Sequence, residues 1–450
     1  MDDYIDTEYG LMRKSHESAR LKDLCHAEGG IQTGPFGSQL HQKDYVDVGT
    51  PIVTVENLGE NRIESTDVPR VSDADRERLG RYSLKEGDIV FSRVGSVDRR
   101  ALIRKTEDGW LFSGRCIRVR PDPAKIDSGF LSWFFGLTGF VNHINSIAVG
   151  ATMPSLNTSI MEGLPIYYPS LEEQRTIAHI LGTLDDKIEL NRRMNETLEG
   201  IARALFKSWF IDFDPVRAKA EGRQPFGMDA ETAALFPDQF EDSELGEIPK
   251  GWKIGAIQDY YDILGGTTPS TKVAGYWGGS IPFATPKDLS TVSSSYLVST
   301  ERSITDEGLS QIGSGIIRKG SFLLSSRAPI GYMAFNDVDV AINQGIIAAA
   351  SKSSLSPSYI YFWSSFKMEY IKSVANGSTF LEVSKGSFKK LKMLAPPSEL
   401  IGIFNSHVDQ QLSAILNNEK ENRTLVELRD SLLPKLISGE IRVNGIGVNI

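Results

Sequence analysis

One stretch decides the fold of this chain: residues 171–211, which read LEEQRTIAHILGTLDDKIELNRRMNETLEGIARALFKSWFI and predict a single long helix. The stretch occurs again at 398–438, because sliding the sequence by 227 residues without a gap superimposes the two copies. The matched pairs include Glu172 with Glu399, Ile188 with Ile415, Asn191 with Asn418, Asn195 with Asn422 and Leu205 with Leu432. Such an internal repeat fixes the architecture. The chain is therefore predicted to be two copies of one unit, each a globular domain followed by a long helix.

Each copy of the helix carries a seam of side chains spaced alternately by four and three residues, the heptad pattern of a helix that packs along another helix. The first seam consists of Ile177, Leu181, Leu184, Ile188, Asn191, Asn195, Leu198, Ala202, Leu205 and Trp209. An asparagine in such a seam lowers stability but fixes the register. We therefore predict an antiparallel coiled coil in which Asn191, Asn195, Asn418 and Asn422 meet. The alternative is that each helix packs on its own globular domain and its asparagines face solvent.

Length and composition describe an ordinary soluble protein. The 450 residues allow two or three domains, and 40% hydrophobic with 24% charged residues is typical of globular chains. No run of eighteen apolar residues exists, so no membrane span is expected, and MDDYIDTEYG at the N-terminus does not resemble a signal peptide. Cys25 and Cys116 are far apart and form no metal motif, so we expect a reducing cytoplasm and neither a disulfide framework nor a metal site.

The charge is unevenly distributed along the chain. The net charge of −9 argues against a generic nucleic-acid binder, which is usually basic. However, residues 93–120 hold eight Lys or Arg against three Asp or Glu, whereas residues 214–247 hold nine acidic residues against three basic ones. We therefore predict a basic loop region in the first domain and an acidic connector between the two copies.

The predicted fold class is α+β. Short alternating segments such as PIVTVE at 51–56 and IPFAT at 281–285 predict strands, and each copy adds a helix, at 128–148 and 358–375. The predicted segments are a first domain at 1–168, a first helix at 169–211, an extended acidic connector at 212–247, a second domain at 248–396 and a second helix at 397–440. Residues 1–18 are predicted to be a polar tail, and Pro434 is predicted to end or kink the second helix near Leu433.

No motif for catalysis is found. A P-loop and a G-x-G-x-x-G loop are both missing, and the six histidines form no paired metal-binding pattern. Ala395-Pro-Pro-Ser398 lacks the polar residue before the prolines and the ring after them that an amino-methyltransferase motif needs. We therefore predict that the chain is not an enzyme on its own.

Reading of DNA is the positive hypothesis, because arginine can bind the O6 and N7 atoms of guanine, and asparagine or glutamine the N6 and N7 atoms of adenine. The candidates in the first domain are Gln32, Thr33, Ser38, Gln39, Arg93, Ser96, Arg99, Arg100 and Asn157. Those in the second domain are Thr267, Thr268, Lys287, Ser326, Arg327, Asn343, Gln344, Thr379 and Lys385. A single loop arginine is more often a surface ion-pair partner. Matched loop positions in both copies favour Arg93, Ser96 and Arg327 over the others.

Several motifs, in order, resemble the specificity subunit of type I restriction-modification systems. They are GPFGS at 34–38, GDIVFSR at 87–93, PSLEEQ at 169–174, WFIDFDPV at 209–216 and LLPKL at 432–436, followed by SGE at 438–440. The resemblance covers about residues 20–440 and rests on the order of the motifs and the duplication, since no single motif is highly specific. The second copy departs from the pattern at PSEL, 397–400, which lacks the glutamine of the first.

The resemblance implies two similar mixed α/β target-recognition domains, related by a pseudo-twofold axis and separated by the two long helices in an antiparallel coiled coil. Each domain would read one half of a split, asymmetric site on double-stranded DNA, and the helices would set the spacing and dock two methyltransferase subunits. Those subunits would hold S-adenosylmethionine and methylate adenine N6, while restriction subunits would use ATP and Mg²⁺. Two alternatives stay open: the specificity module of a related system whose partner fuses methylation and cleavage, and a coiled-coil adaptor that binds protein and not DNA.

Overall fold

The computed structural model describes residues 3–36, 39–64, 66–150, 153–327, 329–377 and 381–443. They form two compact units, one made of the described residues of 1–187 with those of 425–443 and the other of the described residues of 188–424. The two long helices, Leu171–Phe210 and Ser398–Ile437, each contribute residues to both units. No helix among the described residues is both long enough and apolar enough to cross a membrane.

The first unit is built on a mixed five-stranded sheet. Its strands lie in the order Ile31–Thr33, Cys116–Val119, Ile89–Ser92, Arg100–Leu102, Glu60–Asn61. A four-stranded sheet follows the order Leu111–Phe112, Thr50–Val53, Arg70–Val71, Tyr45–Val46. Glu17–Arg20 pairs with Pro165–Tyr168, and Tyr4–Thr7 pairs with Gly10–Arg13. The helices are Leu21–Leu24, Asp73–Arg78, Ser128–Phe134, Thr138–Ile147 and Thr158–Gly163.

The burial of their side chains explains why two of these strands lie at the centre of the five-stranded sheet. All four side chains of Ile89–Ser92 and of Cys116–Val119 are buried, as expected of central strands covered on both faces. The helix Ser128–Phe134 covers one face, and the Asp127 carboxylate caps its start by accepting a hydrogen bond from the Phe130 amide at 2.9 Å.

The second unit repeats the plan with longer strands. Its five-stranded sheet has the order Tyr261–Gly265, Ile346–Ser351, Phe322–Ser325, Met333–Asn336, Tyr296–Leu297. A three-stranded sheet has the order Arg302–Ile304, Trp277–Ala284, Ala341–Ile342. Lys253–Ala256 pairs with Lys392–Ala395, and Phe240–Ser243 pairs with Gly246–Pro249. The helices are Asp214–Ala220, Ala230–Ala234, Ile257–Tyr260, Pro286–Ser290, Asp306–Ser310, Pro357–Phe366, Met368–Ser373 and Lys385–Lys390. The predicted α+β class, with two similar domains and two long helices, is confirmed.

Within each unit the two long helices run antiparallel to each other. In the first unit Asp185 lies against Arg429, and Ile177 shares a surface cavity with Leu436. In the second unit Asn191 contacts Asn422, and farther along the helix Phe206 contacts Phe404. Residue numbers therefore rise along one helix as they fall along the other.

The four seam asparagines meet in the second unit. The side-chain amide of Asn191 donates a hydrogen bond to the side-chain carbonyl of Asn422 at 2.9 Å, and that of Asn418 donates to the side-chain carbonyl of Asn195 at 2.8 Å. Asn195 also donates to the Glu419 carboxylate at 2.8 Å. Asn191, Asn195 and Asn422 are buried, so the interpretation in which the asparagines face solvent does not describe this structure.

Three predictions about local structure are wrong. The polar tail is a β-hairpin, Tyr4–Thr7 with Gly10–Arg13, because Tyr9 and Met12 bury their side chains in the core of the first unit. The extended connector folds into two short helices and a second hairpin, because Val216 and Phe236 are buried in the core of the second unit. The predicted end of the second helix near Leu433 is wrong as well, because the helix continues through Pro434 to Ile437, and the alternative of a kink at Pro434 stays a prediction.

Candidate nucleic-acid interface

In the first unit, one edge of the five-stranded sheet gathers several predicted residues. Thr33 is paired with Ile117, and Ser92 with Cys116. The segments that follow Thr33 and Ser92 therefore emerge at the same edge as the segment that precedes Cys116. A fourth segment joins them, because Val94 forms a bridge with Ser155. We call this set of segments, 34–36, 93–96, 113–115 and 153–157, the first sheet edge.

Arg93 is the centre of the first sheet edge. Its guanidinium lies 4.5 Å from the centroid of the Phe36 ring, and Nη1 donates a hydrogen bond to the Gly114 carbonyl at 3.1 Å. Its backbone is held from both sides, because the Arg93 amide donates to the Arg115 carbonyl at 2.7 Å and its carbonyl accepts from the Leu156 amide at 2.9 Å. An arginine fixed over an aromatic face keeps a fixed orientation for donating to an acceptor.

The close approach of backbones at this edge requires glycine. A Cβ atom at Gly34 would lie 2.1 Å from the Ser113 carbonyl oxygen, and one at Gly114 would lie 2.2 Å from the Pro35 carbonyl oxygen. The two segments are therefore in direct contact only because neither residue has a side chain. Phe36 follows directly and is half exposed. The edge thus presents an aromatic ring and a guanidinium together.

The second unit forms an equivalent edge from the equivalent segments. Gly265 pairs with Ile347 and Ser325 with Ile346, so the segments 266–270, 326–327 and 343–345 emerge together. The Ser326 amide donates to the Gly345 carbonyl at 2.8 Å, and the Val383 amide donates to the Ser326 carbonyl at 2.9 Å. These segments, with 376–377 and 381–382, are the second sheet edge. These two backbone hydrogen bonds of Ser326 match those of Arg93, so Ser326 occupies in the second unit the position that Arg93 occupies in the first.

Arg327 follows Ser326 and takes the place of Val94, since it forms a bridge with Glu382 as Val94 does with Ser155. Its guanidinium is about one-third exposed and lies 4.0 Å from the Glu382 carboxylate. Nearby, the Thr268 hydroxyl donates to the Gln344 side-chain carbonyl. The segments correspond as predicted, but the arginine is displaced by one residue, so the two edges present different surfaces.

The other predicted residues are more dispersed. Gln32 and Thr33 lie in the strand Ile31–Thr33 and not in a loop, and Ser96 and Thr267 are exposed in loops. Gln39 accepts hydrogen bonds from Tyr82 at 2.8 Å, and Asn157 caps the helix Thr158–Gly163 by accepting from the Ile160 amide at 2.9 Å. Lys287 pairs with Glu301 at 2.7 Å, Asn343 accepts from the Gly345 amide at 2.9 Å, and Lys385 is exposed at the start of the helix Lys385–Lys390. Ser38 and Thr379 lie outside the described residues.

The predicted basic loop region, 93–120, does not form one basic surface. Arg99 donates to the Leu58 carbonyl, and Arg100, in a strand and not a loop, donates to the Ser132 carbonyl at 2.7 Å. Burial lowers the pKa of Arg100 to about 10. Arg118 donates to the Gly29 carbonyl at 2.5 Å, and Arg120 pairs with Asp88 at 2.7 Å. Arg100 and Arg118 lie in paired strands and Arg99 and Arg120 directly beside them, so all four bind internal acceptors, which a charge count along the sequence does not show.

Two residues of the first sheet edge were not predicted. Phe36 lies in the GPFGS run, which was read for its polar side chains, and its ring is the partner of Arg93. Arg115 is exposed directly before the strand Cys116–Val119. Its position before a buried strand was the available signal. Within the described parts of the chain, no cluster of His, Cys, Asp and Glu side chains could hold a metal ion.

Comparison with known proteins matches this architecture to a family. The family model described as the type I restriction modification DNA specificity domain matches residues 14–200 and again 249–423. The type I restriction enzyme HindI specificity subunit of Haemophilus influenzae is 28% identical over 440 residues, covering 87% of this chain and 95% of that protein. The MjaIX specificity subunit of Methanocaldococcus jannaschii is 35% identical over 195 residues, covering 42% of this chain and 44% of that protein.

A solved structure shares the fold. The type I restriction-modification system S subunit from M. genitalium superimposes with a TM-score of 0.56 at 14% identity, over 94% of this chain and 96% of that one. The family model matches both copies of the repeat and most of the chain. The chain therefore belongs to the family of DNA specificity subunits of type I restriction-modification systems.

Proposed function

We propose that each sheet edge reads one half of a bipartite, asymmetric site on double-stranded DNA. The observation that carries this proposal is that equivalent backbone segments build both edges, while the side chains they present differ: Arg93 with Phe36 in one, Arg327 with Gln344 in the other. A shared scaffold with different loop side chains is what reading two different sequences requires.

The distribution of charge in this chain favours specific contacts with bases over uniform binding to the phosphate backbone of DNA. The chain carries a net charge of −9, and several arginines of the first unit bind internal carbonyls and carboxylates. Arg93 and Arg115 lie at the first edge, and Arg327 lies at the second with Lys385 close to it, since a Cβ atom on Gly265 would touch the Lys385 side chain at 3.4 Å. A few cations at each edge provide local contacts, and an arginine held in place can discriminate bases by about 1–3 kcal/mol.

The direct test is DNA binding by the assembled complex. We expect Arg93→Ala to weaken binding to duplexes that carry the intact first half-site and to leave the preference for the second half unchanged. Lys385→Ala should weaken binding to all sequences and reduce the slope of log K against log salt, if this lysine contacts phosphate. Equal loss on all sequences for Arg93→Ala would contradict base reading.

The two long helices, we propose, set the distance between the half-sites. Half-sites read on one face of the duplex lie about one turn, roughly 34–36 Å, apart. Inserting four or seven residues into each helix should change the length of the unread spacer and leave both half-sites the same. An unchanged spacer in such variants would contradict this role.

The helices also serve, in this proposal, as docking surfaces for two methyltransferase subunits. Leu190, Met194 and Ile201 are exposed along one face of the first long helix, at spacings of four and seven residues. An exposed apolar stripe of this kind indicates a protein interface. The methyltransferase subunits would hold S-adenosylmethionine and methylate adenine N6, and restriction subunits would supply ATP- and Mg²⁺-dependent cleavage. This chain would supply specificity and no catalytic step, in the cytoplasm.

The docking surface is testable by co-purification. Met194→Glu with Ile201→Glu should reduce assembly with the methyltransferase subunits, whereas Arg192→Glu, exposed on the opposite face of the helix, should not. A fused methylase-nuclease partner would give the same result, and the identity of the co-purified protein distinguishes the two. A coiled-coil adaptor would retain its protein partner but show no salt-sensitive DNA binding.

A further inference from the structure

The two units contain the same hairpin, Tyr4–Thr7 with Gly10–Arg13 in the first and Phe240–Ser243 with Gly246–Pro249 in the second. Thr7 in the first donates its hydroxyl to the Gly10 carbonyl at 2.6 Å, and Ser243 in the second donates to the Gly246 carbonyl at 2.6 Å. The same hydroxyls accept from the amides of Tyr9 and Leu245, at 3.2 and 3.1 Å. Tyr9 and Leu245 therefore occupy the same position at the tips of the two hairpins.

In the first unit the tip residue fills a pocket of its own unit. Tyr9 is 6% exposed. Its ring contacts the following four rings, with centroid separations of 5.5, 5.4, 5.3 and 6.2 Å: Phe134, Phe140, His143 and Tyr167. The hairpin backbone is close as well, because a Cβ atom at Gly139 would lie 2.0 Å from the Tyr9 carbonyl oxygen.

In the second unit the corresponding place is a surface cleft of about 490 Å³. It is lined by Leu245, Trp363, Lys367, Tyr370 and Leu394, among others. Lys367, Tyr370 and Leu394 lie at the 227-residue offset from Phe140, His143 and Tyr167. Trp363 is the seventh residue after the helix cap Ser356, as Phe134 is after the cap Asp127.

The hairpin of the second unit does not fill this cleft. Leu245 is 42% exposed, against 6% for Tyr9, and it carries no ring. We infer that the cleft between Leu245 and Trp363 receives an aromatic side chain, of tyrosine size, carried on a turn of a partner polypeptide. The first unit supplies the template, since there a hairpin presents such a ring to the four equivalent positions.

The charged residues at the rim of the cleft indicate which type of residue should lie next to that aromatic ring in the occupant. Lys367 replaces Phe140, is exposed, and makes no ion pair within the part of the chain that the structure describes. In the first unit Glu8 precedes Tyr9, and the Tyr167 hydroxyl donates to its carboxylate at 3.4 Å. In the second unit Glu244 takes the place of Glu8, lines the cleft and pairs with Lys392 at 3.3 Å. Because Lys367 has no such partner among the described residues, an acidic residue next to the aromatic one would pair with its ammonium, and the occupant is an acidic-aromatic turn. This site is separate from DNA reading and does not depend on it.

The test uses the full-length chain and short peptides observed by saturation-transfer NMR. The probe is acetyl-Thr-Glu-Tyr-Gly-amide, the sequence of residues 7–10, and its control is acetyl-Thr-Glu-Leu-Gly-amide. We expect saturable transfer to the tyrosine ring of the probe and at least about tenfold weaker binding of the control. Equal binding of the two peptides would overturn the inference. If p-cresol binds and the tyrosine peptide does not, the cleft is a small-molecule site and the inference is overturned.

Two variants locate the binding. Leu245→Tyr should fill the cleft from within and abolish probe binding, as Tyr9 does in the first unit. Lys367→Glu, at an exposed position, should weaken it by placing a carboxylate where the glutamate of the probe would lie. Val273→Tyr, exposed and not part of the cleft lining, is the matched control and should bind as the parent does. Unchanged binding in both Leu245→Tyr and Lys367→Glu would place the probe elsewhere and contradict the inference.

Discussion

The Asp185 carboxylate and the Arg429 guanidinium lie 3.2 Å apart in the first unit, with their side chains only 5% and 3% exposed. Arg62 donates to the same carboxylate at 2.8 Å, and Glu60 accepts from Arg429 at 2.5 Å. Asp185 and Arg429 belong to the two long helices, whereas Glu60 and Arg62 belong to the globular part. This buried ion cluster therefore fixes how the first domain sits on its helix pair.

Removing one member of the cluster should be costly. Arg429→Ala removes a hydrogen bond of charged groups from both Asp185 and Glu60, although Asp185 keeps Arg62 at 2.8 Å, and losing such a bond costs about 1.5–3 kcal/mol. We expect the melting transition of the first unit to fall clearly, as measured by calorimetry. Lys125→Ala, which breaks the partly exposed Lys125–Asp122 pair of the same unit at 3.6 Å, should lower the free energy of unfolding by less than about 0.5 kcal/mol. Equal effects of the two variants would show that the cluster does not hold the domain.

The seam asparagines should behave as a specific network. Asn195→Leu removes the acceptor of the Asn418 amide and the donor to Glu419, and leaving buried polar groups unpaired costs about 1–3 kcal/mol. We expect a lower free energy of unfolding for the second unit, measured by urea titration. Asn417→Leu, at an exposed position of the partner helix, is the control and should be within about 0.5 kcal/mol of the parent. A stabilised Asn195→Leu variant would contradict this role.

The stability of the first unit should depend on pH through His16. Burial lowers the pKa of His16, opposed by Glu173 and reinforced by Arg13. Because the folded-state pKa lies below the unfolded value of 6.5, the folded form binds fewer protons and its advantage is lost as the pH falls below about 6.5. We expect the melting temperature to fall between pH 7 and pH 5, and to fall less in His16→Gln. An equal fall in both would assign the effect to other groups.

Gly34, at the first sheet edge, should be required for recognition of the first DNA half-site. Gly34→Ala places a Cβ atom 2.1 Å from the Ser113 carbonyl oxygen, so the segment carrying Phe36 must move away from Arg93. We expect weaker binding to the first half-site in a competition assay. Gly80→Ala, whose Cβ atom would meet nothing within 4 Å, is the control and should bind normally. Normal binding by Gly34→Ala would mean that this edge does not contact DNA.

Much of the fold could be predicted because the helices repeat in register. The 227-residue offset pairs Asn191 with Asn418, and both asparagines lie in the antiparallel seam. The hairpins escaped detection because their equivalence, Tyr9 with Leu245, breaks that offset and rests on hydrogen bonds of Thr7 and Ser243, which share only a hydroxyl.

The sheet edges were predicted only in part. Arg93 and Arg327 follow strands in both copies, and the structure places both arginines at sheet edges. Arg100 and Arg118 lie in the same basic stretch of sequence as Arg93, residues 93–120. Strand pairing nevertheless directs their guanidinium groups to the Ser132 and Gly29 carbonyls. Which arginine faces solvent depends on contacts between residues far apart in sequence, and a charge count along the chain carries no information about these.

The measurement that tests the central claim most directly is a genome-wide map of adenine methylation in cells carrying this chain or its Arg93→Ala variant. Cells with the parent chain should show methylation at one bipartite, asymmetric motif, and the variant should relax or change only one half of it, with the spacer and other half intact. A map with no bipartite motif that depends on this chain, or a variant that alters both halves together, would contradict the assignment of one sheet edge to each half-site.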